Sequence, residues 1–244
     1  MAEVLQTTFQ VRSYDVDAFG VLSPSVLAGF LQESAAMSAD SLGFGISDLN
    51  RKGRTWVLVR EHFELDEAIR LGDVISLQTW PSGVARRAAL RDFRILKENR
   101  EVGRALTSWL VLDLASRRPV QPHEVLPETL CVETPHVLPV SSTSIPSVDC
   151  PAIERAFQVR FSDIDANLHV TNTSYVEWIV EAIGEETWRS RWLSGLDIQF
   201  VSECSLGSEV KSRSALLEAQ ALHSIIREQD SKELARARSS WKPR

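Results

Sequence analysis

The chain has little with which to cross-link itself. Cysteine occurs three times in 244 residues, at 131, 150 and 204, and no C-x-x-C pair is present. That is too sparse for a disulfide framework and wrongly spaced for zinc, so a reducing compartment and no metal or other cofactor are expected. Long apolar runs are missing too: no stretch reaches the roughly eighteen residues a helical membrane span needs. An excess of positive charge is also absent. A net charge of −6 and a pI near 5.5 argue against broad nucleic-acid binding, which needs a basic face, so an acidic partner would have to meet a local patch. The opening residues MAEVLQTTFQVR carry neither a basic region followed by an apolar one nor an Arg- and Ser-rich presequence, and a cytoplasmic location is expected.

What is present is an ordinary globular composition, 43% hydrophobic and 25% charged, over a length that suits two domains of about 120 residues each. The informative stretch is Phe157 to Trp178, FQVRFSDIDANLHVTNTSYVEW. Asp165, Asn167 and His169 stand at i, i+2 and i+4, so an extended backbone would aim a carboxylate, an amide and an imidazole at one face. Tyr175, Trp178, Ile179, Ala182 and Ile183 then recur at threes and fours, the stripe of a core-facing helix. A plain capped helix start would account for the Asp, Asn and Thr residues equally well.

A second copy of the unit separates the two readings. Phe9 to Ala35 reads FQVRSYDVDAFGVLSPSVLAGFLQESA. Aligning Phe9 with Phe157 matches seven of the first ten positions, and such self-similarity marks two copies of one fold. Asp17 matches Asp165, but Phe19 stands opposite Asn167 and Val21 opposite His169. A junction that needed Asn and His in order to fold would carry them in both copies. Asn167 and His169 are therefore assigned a task beyond folding, while Asp165 is left as an orienting or structural residue.

The remaining pattern repeats as well. A strand at 4–12 leads to Ser23-Pro24, a helix-start pair, and to a helix with Leu27, Phe30, Leu31, Ala35 and Leu42 on one face. Strands are expected over 55–65, 74–80, 87–96 and 104–114, with turns at Gly72-Asp73, Pro81-Ser82-Gly83 and Glu98-Asn99-Arg100. Seven of the ten prolines fall between 119 and 151, which predicts an extended connector laid over the surface. The sequence then restarts: a strand over 155–162, a helix over 173–190, and strands near 196–204, 208–219, 221–229 and 232–241. Leu206-Gly207 echoes Leu71-Gly72, which sets Glu203 and Cys204 opposite Ala68 and Ile69. Domains are expected at 1–118 and 152–244, with the linker at 119–151.

Ser162 to Asn172 with Tyr175 and Trp178, together with Leu31-Gln32-Glu33-Ser34-Ala35, Thr79-Trp80-Pro81-Ser82-Gly83 and Ser202-Glu203-Cys204, resemble the acyl-acyl-carrier-protein thioesterases of plants and bacteria. The likeness covers nearly the whole chain. It implies an α+β tandem hotdog, each half an antiparallel sheet wrapped around one long helix, and hydrolysis of fatty acyl thioesters on acyl carrier protein. It also implies catalysis in the C-terminal half at Asp165, Asn167, His169 and Glu203, with the acyl tail mainly in the N-terminal half. Thr171 stands where the family often has asparagine, and the plant proteins carry a plastid-targeting extension, so a bacterial cytosolic version is the simpler expectation.

Thioester hydrolysis needs an activated water, a donor for the oxyanion and a dry slot for the chain. Glu203 is expected as the base, with His169 and Asn167 positioning it and polarising the thioester, and with a helix N-terminus holding the oxyanion. Cys204 is the alternative, as a nucleophile paired with His169, although a thiolate beside carboxylates is disfavoured. Leu27, Phe30 and Leu31 read first as core and also as candidates to line the acyl tunnel. Arg86, Arg87, Arg91 and Arg94 form a candidate carrier-docking patch; Arg117 with Arg118 and Arg236 with Arg238 are rivals. Three other functions compete. Asp15 to Val21 resembles the active segment of small acyl-CoA thioesterases, with Asp17 as the working residue. A hydratase would need Asp-x-Asn-x-x-His, one residue longer than found here. An acyl-binding regulator should lack the polar set. Two hotdogs in one chain can pair internally, and further homodimerisation stays open.

Overall fold

The computed structural model describes residues 4–127 and 134–244. The N-terminal half contains β1 (Leu5–Gln10), α1 (Pro24–Ser41), α2 (Ile46–Arg51), β2 (Arg54–Leu65), β3 (Val74–Ala85), β4 (Ala88–Lys97), β5 (Arg100–Asp113) and the short β6 (Pro119–Val120). The C-terminal half contains β7 (Ile153–Gln158), α3 (Asn172–Glu181), α4 (Glu185–Ser190), β8 (Arg191–Phe200), β9 (Glu209–Leu217), β10 (Gln220–Arg227) and β11 (Lys232–Pro243). This is the tandem hotdog. The strand order β1-β3-β4-β5-β2-β8-β11-β10-β9-β7 reads as one half followed by its own reversal, joined where β2 pairs antiparallel with β8 through Glu61↔Ile198 and Phe63↔Leu196. Joining the halves here pairs the inner edge of each, so neither is left as an open ladder.

Alternation builds the strands and special turns close them. Glu98 and Asn99 hold positive φ of 51° and 62° between β4 and β5, as a tight hairpin matched to strand twist requires. Pro81-Ser82-Gly83 is not the expected turn. The strand runs through it with a bulge between Pro81 and Gly83, and the chain reverses at Arg86, φ 56°. β1 covers β3 only as far as Leu5↔Thr79, so the missing Pro81 N–H interrupts no ladder on that side. The expected helix over 173–190 is likewise two helices, broken at Gly184, whose φ of 93° no helix interior accepts.

One core spans both halves, with Leu31, Phe63, Phe93, Ile179, Ile183 and Leu196 among its fully buried side chains. Residues 136–148 of the proline-rich segment are pinned to the sheet by polar groups. Buried Asp92 accepts from Val137 N–H at 2.9 Å and meets His136 Nδ1 at 2.7 Å. Arg60 donates to the carbonyls of Ser141 and Thr143, and Val148 N–H donates to Ser224 Oγ. Cys150 is exposed, and Cys131, to which the sequence assigned nothing, lies outside the described residues.

Candidate active site

The residues between β7 and α3 do not extend. A short 3-10 turn at Phe161–Asp163 is followed by a loop closed by the bridge Ile164↔Val170. The reason is Asp165. Its Oδ1 accepts the N–H groups of Asn167 at 2.8 Å and His169 at 3.2 Å, while its own N–H donates to His169 O. Leu168 is thereby held at φ 64°. Below it, Asp163 accepts from Arg160 N–H at 2.7 Å and from its guanidinium. Burial works to raise Asp163, but those Arg160 contacts outweigh it and keep the carboxyl below its ordinary range.

The loop projects Asn167 and His169 toward a segment that follows β8. Val170 N–H donates to Cys204 O at 3.0 Å, which docks the two segments together. His169 Nε2 then lies 3.4 Å from Glu203 Oε2, and Asn167 Nδ2 lies 3.3 Å from Asp165 Oδ2. A third group completes the cluster. Arg117 Nη2 donates to both Glu203 oxygens, at 2.8 and 2.7 Å, and Arg117 belongs to the N-terminal half. The sequence offered it only as part of a docking patch, because nothing in a linear reading places residue 117 beside residue 203.

Asp165, Asn167, His169 and Glu203 stand at the mouth of a cavity of about 740 Å³, with Arg117 behind its wall. Asp165, Asn167, His169, Val170, Thr171, Asn172, Thr173, Tyr175, Ser202 and Glu203 form its polar end. The rest is largely apolar and, apart from Phe200, Val201 and the linker residues His123, Leu126 and Pro127, belongs to the N-terminal half, including Val57, Leu58, Leu90, Leu110 and Leu112. Leu27, Phe30 and Leu31 are not in its wall. Leu27 and Leu31 are buried in the core and Phe30 stacks on Phe9 at 4.2 Å. The helix meets the cavity through Gly29, Ala36 and Ala39, and Leu42 at its C-terminal end joins them. With Gln32 and Glu33, which also line the cavity, Gly29, Ala36 and Ala39 recur at three- and four-residue spacing, a face of small and polar side chains that was the sequence signal for a hollow.

The four arginines separate. Arg86 and Arg87 are exposed at the β3–β4 turn. Arg94 lies over the Trp80 ring at 5.6 Å. Arg91 is 8% exposed, lines the cavity, donates to Thr79 Oγ1, and is lowered by burial to about 10, so it cannot serve a surface patch. Strand alternation sends 91 inward and 94 outward. Of the rival patches, Arg236 is bound to Glu233 and Arg117 to Glu203.

Cys204 is buried and absent from the cavity wall, so the nucleophile reading finds no approach for a substrate. Asp17 is occupied on both oxygens, by Phe19 and Val21 N–H on Oδ1 and by Arg244 on Oδ2 at 2.7 Å, and it also lies outside that wall. Tyr175 is pushed well above the ordinary phenol range, chiefly by burial and then by Cys204, with Glu203 adding to the rise and Arg227 opposing it. It stays a neutral wall.

A doubled hotdog sheet whose C-terminal half presents Asn, His and Glu at the mouth of a hollow in the N-terminal half defines a class, the double-hotdog proteins with a single composite site. The family follows from comparison. The model of the acyl-ACP thioesterase N-terminal domain matches residues 2–130 and that of the C-terminal domain matches 149–243; the chain belongs to the acyl-ACP thioesterase family. It is 28% identical to the chloroplastic palmitoyl-acyl carrier protein thioesterase of Gossypium hirsutum over 99% of its length and 64% of the cotton protein. It is 24% identical to the dodecanoyl-[acyl-carrier-protein] hydrolase of Cinnamomum camphora, covering 99% of this chain and 68% of that one. Among solved structures, an acyl-ACP thioesterase from Bacteroides thetaiotaomicron superposes with a TM-score of 0.88 at 25% identity, covering 98% of each chain. The 12:0-ACP thioesterase from Umbellularia californica shares the fold with the same score at 22% identity, over 99% of this chain and 98% of that one.

Proposed function

We propose that the chain hydrolyses fatty acyl thioesters on acyl carrier protein, releasing free fatty acid, and does so in the cytoplasm. The observation that carries this reading is the pairing of an apolar cavity with Asn167, His169 and Glu203 at its mouth. The acyl chain lies in the N-terminal hollow and the thioester carbonyl rests near Asn172 and Thr173, where the first N–H groups of α3 have no intrahelical acceptor and carry the positive end of the helix dipole. Asn167 adds a side-chain donor. Glu203, oriented with His169, takes a proton from water as its oxygen bonds to the carbonyl carbon. The tetrahedral intermediate then expels the carrier's thiolate, which receives that proton. Asp165 holds the loop that presents Asn167 and His169. Of the four arginines, Arg86 and Arg87 remain available to an acidic carrier.

The test is fatty-acid release from a panel of acyl-carrier-protein and acyl-CoA thioesters, with wild type beside His169→Ala. The expected result is a preference for the carrier-protein esters and a loss of at least about 100-fold in the variant. Unchanged turnover in folded His169→Ala removes the site.

A further inference from the structure

Glu203 is held by a residue from the other half of the molecule. Arg117 lies in the turn between β5 and β6, and that turn is built tightly. Asp113 Oδ1 accepts both Ser116 N–H at 2.8 Å and Ser116 Oγ at 2.9 Å. Asp113 O accepts Arg117 N–H at 2.8 Å, and Arg118 O accepts Asp113 N–H at 3.0 Å. Arg54 binds the second Asp113 oxygen, and the Ser116 hydrogen bonds, with Arg54 adding to them, hold that carboxyl below its ordinary range. Arg117 itself sits at φ 54°, a left-handed conformation that a long side chain adopts only where its surroundings impose it. From this fixed base the guanidinium reaches 86 positions along the chain to Glu203.

We infer that Arg117 is a positioning residue for the reaction, and that the N-terminal half thereby supplies more than the acyl hollow. The inference rests on the reading of Glu203 as the base. A glutamate on a loop has three rotatable bonds and no reason to keep one oxygen toward His169. Arg117 Nη2 spans both oxygens, which fixes the rotation of the carboxylate and leaves Oε2 facing His169 at 3.4 Å. A charge-assisted hydrogen bond from a planar donor is suited to that task. The pair is half exposed on both sides, 63% and 51%, so its contribution to folding stability is small. A role in orientation and a role in folding therefore predict different things. Misplacing a reacting group by about 1 Å costs about 100-fold in rate, whereas losing an exposed ion pair leaves the melting temperature where it was.

The experiment is steady-state hydrolysis of an acyl-carrier-protein thioester by Arg117→Ala, Arg117→Lys, Glu203→Gln and the double variant Arg117→Ala/Glu203→Gln. Arg117→Ala is expected to lower kcat by roughly 10- to 100-fold with KM within about twofold and an unchanged melting curve. Arg117→Lys recovers part of the loss, and guanidinium ion added to Arg117→Ala recovers part of it as well. In the Glu203→Gln background, removing Arg117 costs nothing further, because the group it orients no longer acts. A rise in KM with kcat intact makes Arg117 a carrier contact and overturns the inference. So does an equal loss with and without the Glu203 carboxylate. If the wild-type chain turns over no acyl thioester, the reading of the site falls and takes this inference with it, an outcome distinct from either of the others.

Discussion

The two hotdogs use one turn for two purposes. In the first, Asp17 Oδ1 accepts Phe19 and Val21 N–H at 2.8 and 3.0 Å. In the second, Asp165 Oδ1 accepts Asn167 and His169 N–H at 2.8 and 3.2 Å. Asp15 and Asp163 repeat the lower contact, each accepting the N–H three residues before it. Even the docking bond recurs, Leu22 N–H to Ile69 O and Val170 N–H to Cys204 O. What differs is the second oxygen of the upper aspartate. In the first copy it is taken by Arg244; in the second it meets the side chain of Asn167. The frame is common property, and function enters through the side chains hung on it.

The interiors differ in the complementary sense. Both helices pack an apolar stripe into the core, Trp178 and Ile179 on α3 and Leu27 and Leu31 on α1, but α1 also sets Gly29, Ala36 and Ala39 against the cavity. Small residues on a helix leave a hollow that the sheet alone cannot close. In the reading proposed above, the C-terminal half carries the reactive groups and the N-terminal half takes the chain.

The largest effect should come from making the second turn into the first. Asn167→Phe with His169→Val, the residues of the earlier copy, keeps every backbone bond to Asp165. Hydrolysis is expected to fall by at least about 100-fold with little change in the melting temperature. A large loss of stability in this double variant would show that the two turns are not interchangeable frames.

A middle-sized effect concerns the sheet floor. Ile69 and Cys204 hold equivalent places, and the same offset makes Leu196 on β8 the counterpart of Glu61 on β2. Glu61 is fully buried, and neither of its oxygens has a partner among the described residues. Burial raises its carboxyl to about 8. Because the folded value lies above the unfolded one, the native state binds the proton more tightly. The stability so gained is complete below pH ~4.5 and is lost progressively as pH rises through about 8. Glu61→Leu, which copies the C-terminal half, should remove that loss and stabilise the protein above pH 8 by on the order of 3 kcal/mol. Denaturant unfolding at pH 5 and pH 9 measures it, and an equal wild-type midpoint at both would contradict the assignment.

Much of this division was legible in the sequence. The duplication and the two antiparallel sheets followed from self-similarity and alternation. The unread parts depend on geometry that has no linear signature. Asp165, Asn167 and His169 look like strand neighbours by spacing, yet Asp165 bends the chain into a turn by binding the backbone of the other two. Arg91 looks like one of four surface cations and is turned inward by alternation. Arg117 meets Glu203 only because β5 and β8 both flank β2 in the sheet.

The smallest effect tests whether the turn frames are the same in energy as well as in pattern. Gly20 sits at φ 73° and its counterpart Leu168 at φ 64°. The left-handed region costs a non-glycine residue roughly 1–2 kcal/mol, and glycine recovers this at an entropic cost of about 0.5–1 kcal/mol in the unfolded chain. Leu168 is also 76% exposed, so little packing is lost on its removal. Leu168→Gly should therefore raise the melting temperature slightly, by up to about 3 °C, and Gly20→Leu should lower it by a similar amount. Both shifts can be read by calorimetry on the same day. If Leu168→Gly destabilises, the leucine is held by contacts that the first copy lacks, and the second turn is then a specialised structure in its own right.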